Sequence, residues 1–296
     1  MSWVTFLALI ARLFRLLSRL PLGALHRLGW LAGWVTYAAS PTYRRRLRAN
    51  LEQALGAPLP AGALADAVVG AGRQALELPW IWLHDNDAVV ARVVRVSGWE
   101  HVEAAWAANR GILFLTPHLG CFEISARYYA AHRPITVLYR PPRRAELQPL
   151  VEAGRGGDSG IALAPADLGG VRKLMKALRD RQAAGILPDQ VPARGEGMWA
   201  PFFGRDAYTM TLAARLAGVG NAQLILAWAE RLEPGRGYHL HLRLPRRPLS
   251  GSIEERVVAI NGELEAMIRE RPGQYLWGYN RYKRPAGAPP ARKNEA

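Results

Sequence analysis

Cysteine is almost missing from this 296-residue chain, with Cys121 its single example. One thiol cannot close an intrachain disulfide and leaves no cysteine-based metal site, so a reducing compartment is the natural inference. Lysine is nearly as scarce: of 39 basic residues only Lys173, Lys176, Lys283 and Lys293 are lysines, and the rest are arginines. With 24 acidic residues against them the net charge is +15. Arginine carries a planar fork of donors that grips phosphates and stays charged when partly buried. The partners this charge admits are anionic: nucleic acid, a membrane surface, phosphorylated substrates or an acidic carrier protein. H-E-x-x-H and G-x-x-x-x-G-K-[ST] are both absent from the sequence, so zincin and P-loop chemistry have no support. The uncharged run at the N-terminus ends at Ala11, short of the roughly 20 residues of an ordinary membrane span. There is no internal repeat.

Half of the residues are hydrophobic, enough for a sizeable core in one large domain or two ordinary ones. In the first 20 residues the apolar pattern is broken only by Arg12, Arg15 and Arg19, which share one helix face. Charges that follow an apolar run, rather than precede it, do not fit a secretory signal. That order keeps the rest of the chain on the cytoplasmic side if the segment inserts. A second apolar stretch, Leu28 to Ser40, is rich in Trp and Tyr. Residues 1–40 are expected to be a membrane anchor, either a short span with snorkelling arginines or an interfacial hairpin. The alternative is an amphipathic helix packed on the domain. Arg44, Arg45, Arg46 and Arg48 follow Pro41 and would sit on anionic headgroups or on a solvated helix face.

From Ala91 to Arg271 apolar strands alternate with helical patterns. Strands are expected at Val93–Val96, from Ile112, at Ile135–Tyr139, Gly185–Leu187, Ala222–Ala229 and Tyr238–Leu244. Helices are expected between them, near Arg144–Ala153 among others, with one starting at Thr209 and a last one over Ser252–Arg271 opened by a capping box. The pattern predicts a single α/β domain over 41–284, with a mixed, mostly parallel central sheet flanked by helices. The Pro/Ala/Lys-rich tail from 285 is expected to be disordered. Gly70, Gly72 and Ala75 form G-x-G-x-x-A inside a helix rather than after a strand, which argues against a dinucleotide site.

Ile112 to Glu123, ILFLTPHLGCFE, organises the chemistry. A buried strand ends at Thr116-Pro117-His118, and a helix opens with Glu123 in its first turn. Ligands of open α/β sheets bind beyond the carboxyl ends of the strands. His118, Arg140 and Asp189 all fall at such ends. His118 is the candidate general base, with Glu123 fixing one ring nitrogen while the other takes a proton from a substrate hydroxyl. Backbone N–H groups near Gly120, or Arg140, would stabilise an oxyanion. Two other constellations carry less. Gly157-Asp158-Ser159-Gly160 lacks the strand-to-helix elbow of a serine hydrolase. His239 and His241 share a strand face, but no carboxylate or third His lies close by in sequence, so no metal is expected.

His118 to Glu123 also matches the H-x4-D/E motif of the glycerolipid and lysophospholipid acyltransferase superfamily. VLYRP (137–141), ILPDQ (186–190), APFFG (200–204) and QYLWGYNRYK (274–283) follow in the order and spacing of its lipid A branch, the Kdo-dependent late acyltransferases. The chain resembles that family over nearly its whole length, although Gly278-Tyr279-Asn280 stands where those enzymes more often have a His-Arg pair. The resemblance implies a cofactor-free enzyme on the cytoplasmic face of a bacterial inner membrane. It would move a fatty acyl chain from acyl carrier protein to a hydroxyl of a lipid A precursor. His118 and Glu123 would be catalytic, and Arg140, Asp189, Gln190 and Gly120 would bind substrate. Related branches acylate other glycolipids, ornithine lipids or lysophospholipids, some from acyl-CoA. A basic peripheral membrane or nucleic-acid-binding protein is the non-enzymatic alternative; it leaves His118 and Glu123 without a task, and no nucleic acid is expected.

Overall fold

The computed structural model describes residues 3–142, 148–156, 159–192 and 196–291. Four helices lead the chain: α1 (Trp3–Ser18), α2 (Leu22–Ala39), α3 (Pro41–Leu55) and α4 (Ala63–Leu83), followed by the short α5 (Asn86–Val90). Then come β1 (Val93–Ser97), α6 (Glu100–Ala107), β2 (Ile112–Leu115), α7 (Phe122–Ala130), β3 (Ile135–Tyr139), α8 (Gln148–Arg155) and β4 (Ile161–Pro165). The second half holds α9 (Leu168–Arg179), β5 (Ala183–Ile186), β6 (Gly197–Phe202), β7 (Arg205–Met210), α10 (Leu212–Leu216), β8 (Gln223–Arg231), β9 (Tyr238–Arg243) and α11 (Ile253–Glu270).

Seven strands make one sheet in the order β1-β9-β8-β2-β5-β3-β4. All neighbours are parallel except β8 and β9, so the expected mixed, mostly parallel sheet is present. A core lies on each face. One gathers Leu113, Leu115, Leu226 and Trp228 against α9 to α11, and the other gathers Ile112, Phe114, Ile225 and Ala227 against α2, α4, α6 and α7. That is why β2 reads as an unbroken apolar run: both faces are covered and all four residues are buried. Each such Leu or Ile contributes roughly 1.5–3 kcal/mol of burial.

Several boundaries differ from the sequence reading. The strand β4 lies where the sequence reading places no element, and Thr209 belongs to β7 rather than to a helix. Residues 197–210 form the antiparallel hairpin β6–β7. Capping at Ser252 follows the expected box, with Glu255 N–H bonded to the Ser252 side chain and Glu255 Oε2 accepting from the Ser252 N–H. The tail is in contact where described: Trp199 Nε1 donates to the Pro289 carbonyl at 2.8 Å and Ala288 is buried, while 292–296 lie outside the described residues.

The N-terminal expectation needs correcting on one point. Among the described residues no helix is long and apolar enough to cross a membrane. The segment is instead two helices broken at Leu20-Pro21, and α2 packs closely on α4. Glycine makes that approach possible. A Cβ on Gly72 would stand 2.0 Å from the Gly29 carbonyl oxygen, and one on Gly33 2.3 Å from that of Val68. The glycine pattern in α4 therefore serves helix packing.

Candidate active site

The site is built by register. Strands β2 and β5 run parallel with Leu115 beside Ile186, so His118 and Asp189 each lie three residues past a paired position. On the other side of β5, Val137 of β3 pairs with Gly185, which brings Arg140 to the same edge. His118, Arg140 and Gln190 line one cavity of about 280 Å³, together with Glu123, Arg155 and an apolar wall that includes Val137, Leu138, Ile161, Leu163, Leu187 and Met210.

The loop that carries His118 is clamped on both sides. Thr116 N–H extends the sheet ladder to Ile186, Cys121 N–H bonds Ala229 at 2.8 Å, and Leu276 N–H bonds the His118 carbonyl at 3.2 Å. Gly120 has φ +59°, and a Cβ there would lie 2.0 Å from the Ala229 carbonyl oxygen. Only glycine fits this corner without moving β8. The Gly120 N–H itself donates to the Gln274 carbonyl at 3.0 Å. Of the backbone N–H groups near this corner, that of Gly120 is therefore engaged, and Gly120 is not among the residues lining the cavity.

His118 is held through Nδ1, which lies 2.8 Å from Asp189 Oδ1, while the His118 backbone N–H donates to Asp189 Oδ2 at 3.0 Å. Asp189 is buried, which by itself raises its pKa. The charge of His118 and the hydrogen bonds from it outweigh burial and hold the carboxyl below its ordinary value. An ionised Asp189 accepts a hydrogen bond from Nδ1–H, leaving the lone pair at Nε2. That nitrogen is 3.0 Å from the Gln190 amide nitrogen, whose N–H it accepts. Phe122 packs its ring edge against the imidazole at 4.8 Å.

Glu123 shares the cavity but not the expected contact. Its Oε1 accepts from Arg155 Nε at 2.9 Å and Nη2 at 2.6 Å. The orienting carboxylate on the His118 ring is thus Asp189, and Glu123 holds an arginine from α8. A separate cavity of about 410 Å³ lies beside Arg73, Arg231 and Arg271. Of the remaining candidates, Gly157 and Asp158 lie outside the described residues, and Ser159 Oγ is turned to the Gly156 carbonyl.

Residues 1–284 match the family model described as bacterial lipid A biosynthesis acyltransferase. The chain belongs to that family. It is an acyltransferase of lipid A biosynthesis. The lipid A biosynthesis lauroyltransferase of Escherichia coli (strain K12) is 30% identical over 224 residues, covering 75% of this chain and 71% of that protein. The palmitoleoyltransferase of the same organism is 26% identical, covering 71% and 67%. A lipid A biosynthesis acyltransferase of Haemophilus influenzae is 25% identical, covering 61% and 56%.

Proposed function

We propose that this acyltransferase moves a fatty acyl chain from an acyl carrier protein thioester to a hydroxyl of a lipid A precursor, with His118 as general base. The observation that carries this reading is the Asp189–His118–Gln190 line, with Nε2 facing a cavity that has one polar and one apolar side. The acceptor hydroxyl displaces the Gln190 amide and gives its proton to Nε2. Its oxygen attacks the thioester carbonyl carbon, a C–O bond forms and the C–S bond breaks, and the departing thiolate takes the proton back from the imidazolium. Asp189 stabilises the imidazolium in between. Arg140 is the donor aimed at the oxyanion or at a substrate phosphate. Glu123 holds Arg155 at the cavity wall, where the guanidinium can meet a phosphate, and Gly120 shapes the loop.

The apolar wall suits the acyl chain, at about 0.8 kcal/mol for each methylene removed from water. A strongly basic chain complements an acidic carrier protein and the phosphates of the acceptor. The attachment is to the inner membrane, with the catalytic domain on the cytoplasmic face; exposed apolar stripes on α1 and α2 support contact with a membrane surface. Leu9, Leu13 and Leu16 on α1 and Leu28, Leu31 and Val35 on α2 all point outward, beside exposed Arg12, Arg15 and Arg19. An interfacial helix pair that buries such stripes needs no span.

The test is acyl transfer from acyl carrier protein to a lipid A precursor, followed by mass spectrometry, for wild type and His118→Ala. Loss of about 10²–10⁴ in rate is expected. Turnover within a few fold of wild type would remove His118 from the reaction. Running the same assay with acyl-CoA and a lysophospholipid separates the other acyl-transfer reading.

A further inference from the structure

A second cluster of titratable groups lies on the far side of β8, away from the cavity. Glu230 of β8 and His239 of β9 are cross-strand partners, and His241 is two residues on, beside Trp228. The period of a strand puts all three side chains on one face. One ligand atom from each lies within 4.8 Å of the others. Glu230 Oε2 is the meeting point, 3.0 Å from His241 Nε2 and 3.9 Å from His239 Nδ1.

The surroundings fix the two rings. His241 stacks on Trp228 with centroids 4.5 Å apart and planes at 8°. His239 Nε2 is 2.8 Å from Ser97 Oγ on β1. When Ser97 accepts that N–H, Nδ1 is left as a lone pair turned toward the carboxylate oxygen, an arrangement of two acceptors that calls for a cation between them. The other carboxylate oxygen, Oε1, accepts from Arg271 Nε at 2.5 Å. A ligating histidine whose second nitrogen is hydrogen-bonded, and a ligating carboxylate held by a donor, are the usual outer supports of a metal site.

We propose that Glu230, His239 and His241 form a binding site for a borderline divalent metal ion of the zinc type. Two imidazoles and one carboxylate are a ligand set such ions accept, with remaining positions left to water. Arg95 and Arg271 repel the ion, so it binds more weakly than in an all-cysteine site. Its place gives it a structural effect. The ion joins β8 to β9 and, through Ser97, to β1. Through Arg271 it reaches the start of the segment whose Gln274 and Leu276 clamp Gly120 and His118.

The experiment uses the full chain without an affinity tag, stripped with chelator and titrated with Co²⁺ and Zn²⁺. One equivalent of Co²⁺ is expected to give visible ligand-field absorption that Zn²⁺ abolishes, and Zn²⁺ is expected to raise the thermal midpoint. His239→Ala and His241→Ala lose both signals, while His132→Ala, in the exposed turn after α7, keeps both. Ser97→Ala retains all three ligands and binds about 10-fold more weakly or worse. Unfolding without metal is followed for each variant; if an alanine variant does not fold, His241→Gln and Ser97→Ala carry the comparison. No saturable binding near one equivalent, or equal binding by wild type and the ligand variants, overturns the proposal.

Discussion

His118 and His26 each meet a carboxylate through one ring nitrogen, at 2.8 Å from Asp189 and 3.2 Å from Glu77. Around His26 both ring nitrogens have partners inside the protein. Gly235 N–H reaches its Nδ1, and Glu77 also accepts from Tyr238 and from Arg231 on both carboxylate oxygens. Both side chains of that pair are fully buried. Around His118 one nitrogen is different: among the described residues Nε2 meets the Gln190 amide alone, at the cavity wall, and the side chain is 15% exposed. The His26 cluster bolts α2 and α4 to β8 and β9, and the His118 pair leaves a proton acceptor within a substrate's reach. In the proposed mechanism the same two residue types serve packing in one place and chemistry in the other, and the second ring nitrogen decides which.

Substitution of each carboxylate should separate the two roles. Asp189→Asn puts an amide opposite Nδ1, so the ring proton moves to Nε2 and the base is lost; transfer should fall by roughly 10²–10⁴, with a much smaller change in stability. Glu77→Gln should do the reverse. It leaves Arg231 buried without its counter-charge, which costs about 3–5 kcal/mol in an unfolding measurement, while the protein that remains folded keeps its turnover. If Glu77→Gln cut turnover of folded protein as deeply as Asp189→Asn, the distinction would be lost.

Acid sharpens the contrast further. Burial raises the Glu77 pKa, but Arg231 and the hydrogen bonds from Arg231 and His26 outweigh it and bring it down to about 2. A carboxyl depressed on folding stabilises the protein fully above its unfolded pKa and loses that contribution as pH falls through the folded one. Unfolding free energy should therefore decline between the ordinary carboxylate range and about pH 2. In Glu77→Gln the slope across that window should be shallower.

How much of this the sequence carries depends on whether the deciding contact is local. β2 announces itself as an apolar run, and the breaks that follow β2, β3 and β5 place His118, Arg140 and Asp189 at strand ends. The partner of His118 is another matter. Glu123 is five residues away along the chain, whereas Asp189 is 71 away and arrives only because β5 lies beside β2 in register. The same limit hid the third member of the Glu230–His239–His241 group, which comes from the neighbouring strand. The hairpin β6–β7 was hidden differently. Its two-residue loop, Phe203-Gly204, has positive φ at both positions, where Asn-Gly is the usual signal. Here tertiary contacts hold the Phe: its N–H donates to Glu265 and its carbonyl accepts from Gln53, each at 2.7 Å.

The finest cut is at Gln190, because it is the group that separates an open base from a sealed one. Its amide donates to His118 Nε2 at 3.0 Å, in the place the acceptor hydroxyl takes in the proposed mechanism. Removing it deletes one hydrogen bond worth about 0.5–1.5 kcal/mol and leaves Nε2 facing the cavity, where water can replace the lost donor. Gln190→Ala should therefore change transfer by only about 2- to 10-fold. The direction is informative. If Gln190 only occupies the base in the absence of acceptor, the Michaelis constant for the acceptor should fall. If it also positions the imidazole during attack, kcat should fall instead. Steady-state kinetics with the acceptor varied distinguish these outcomes. A loss as deep as that of His118→Ala would contradict a secondary role, making Gln190 part of the catalytic unit together with Asp189 and His118.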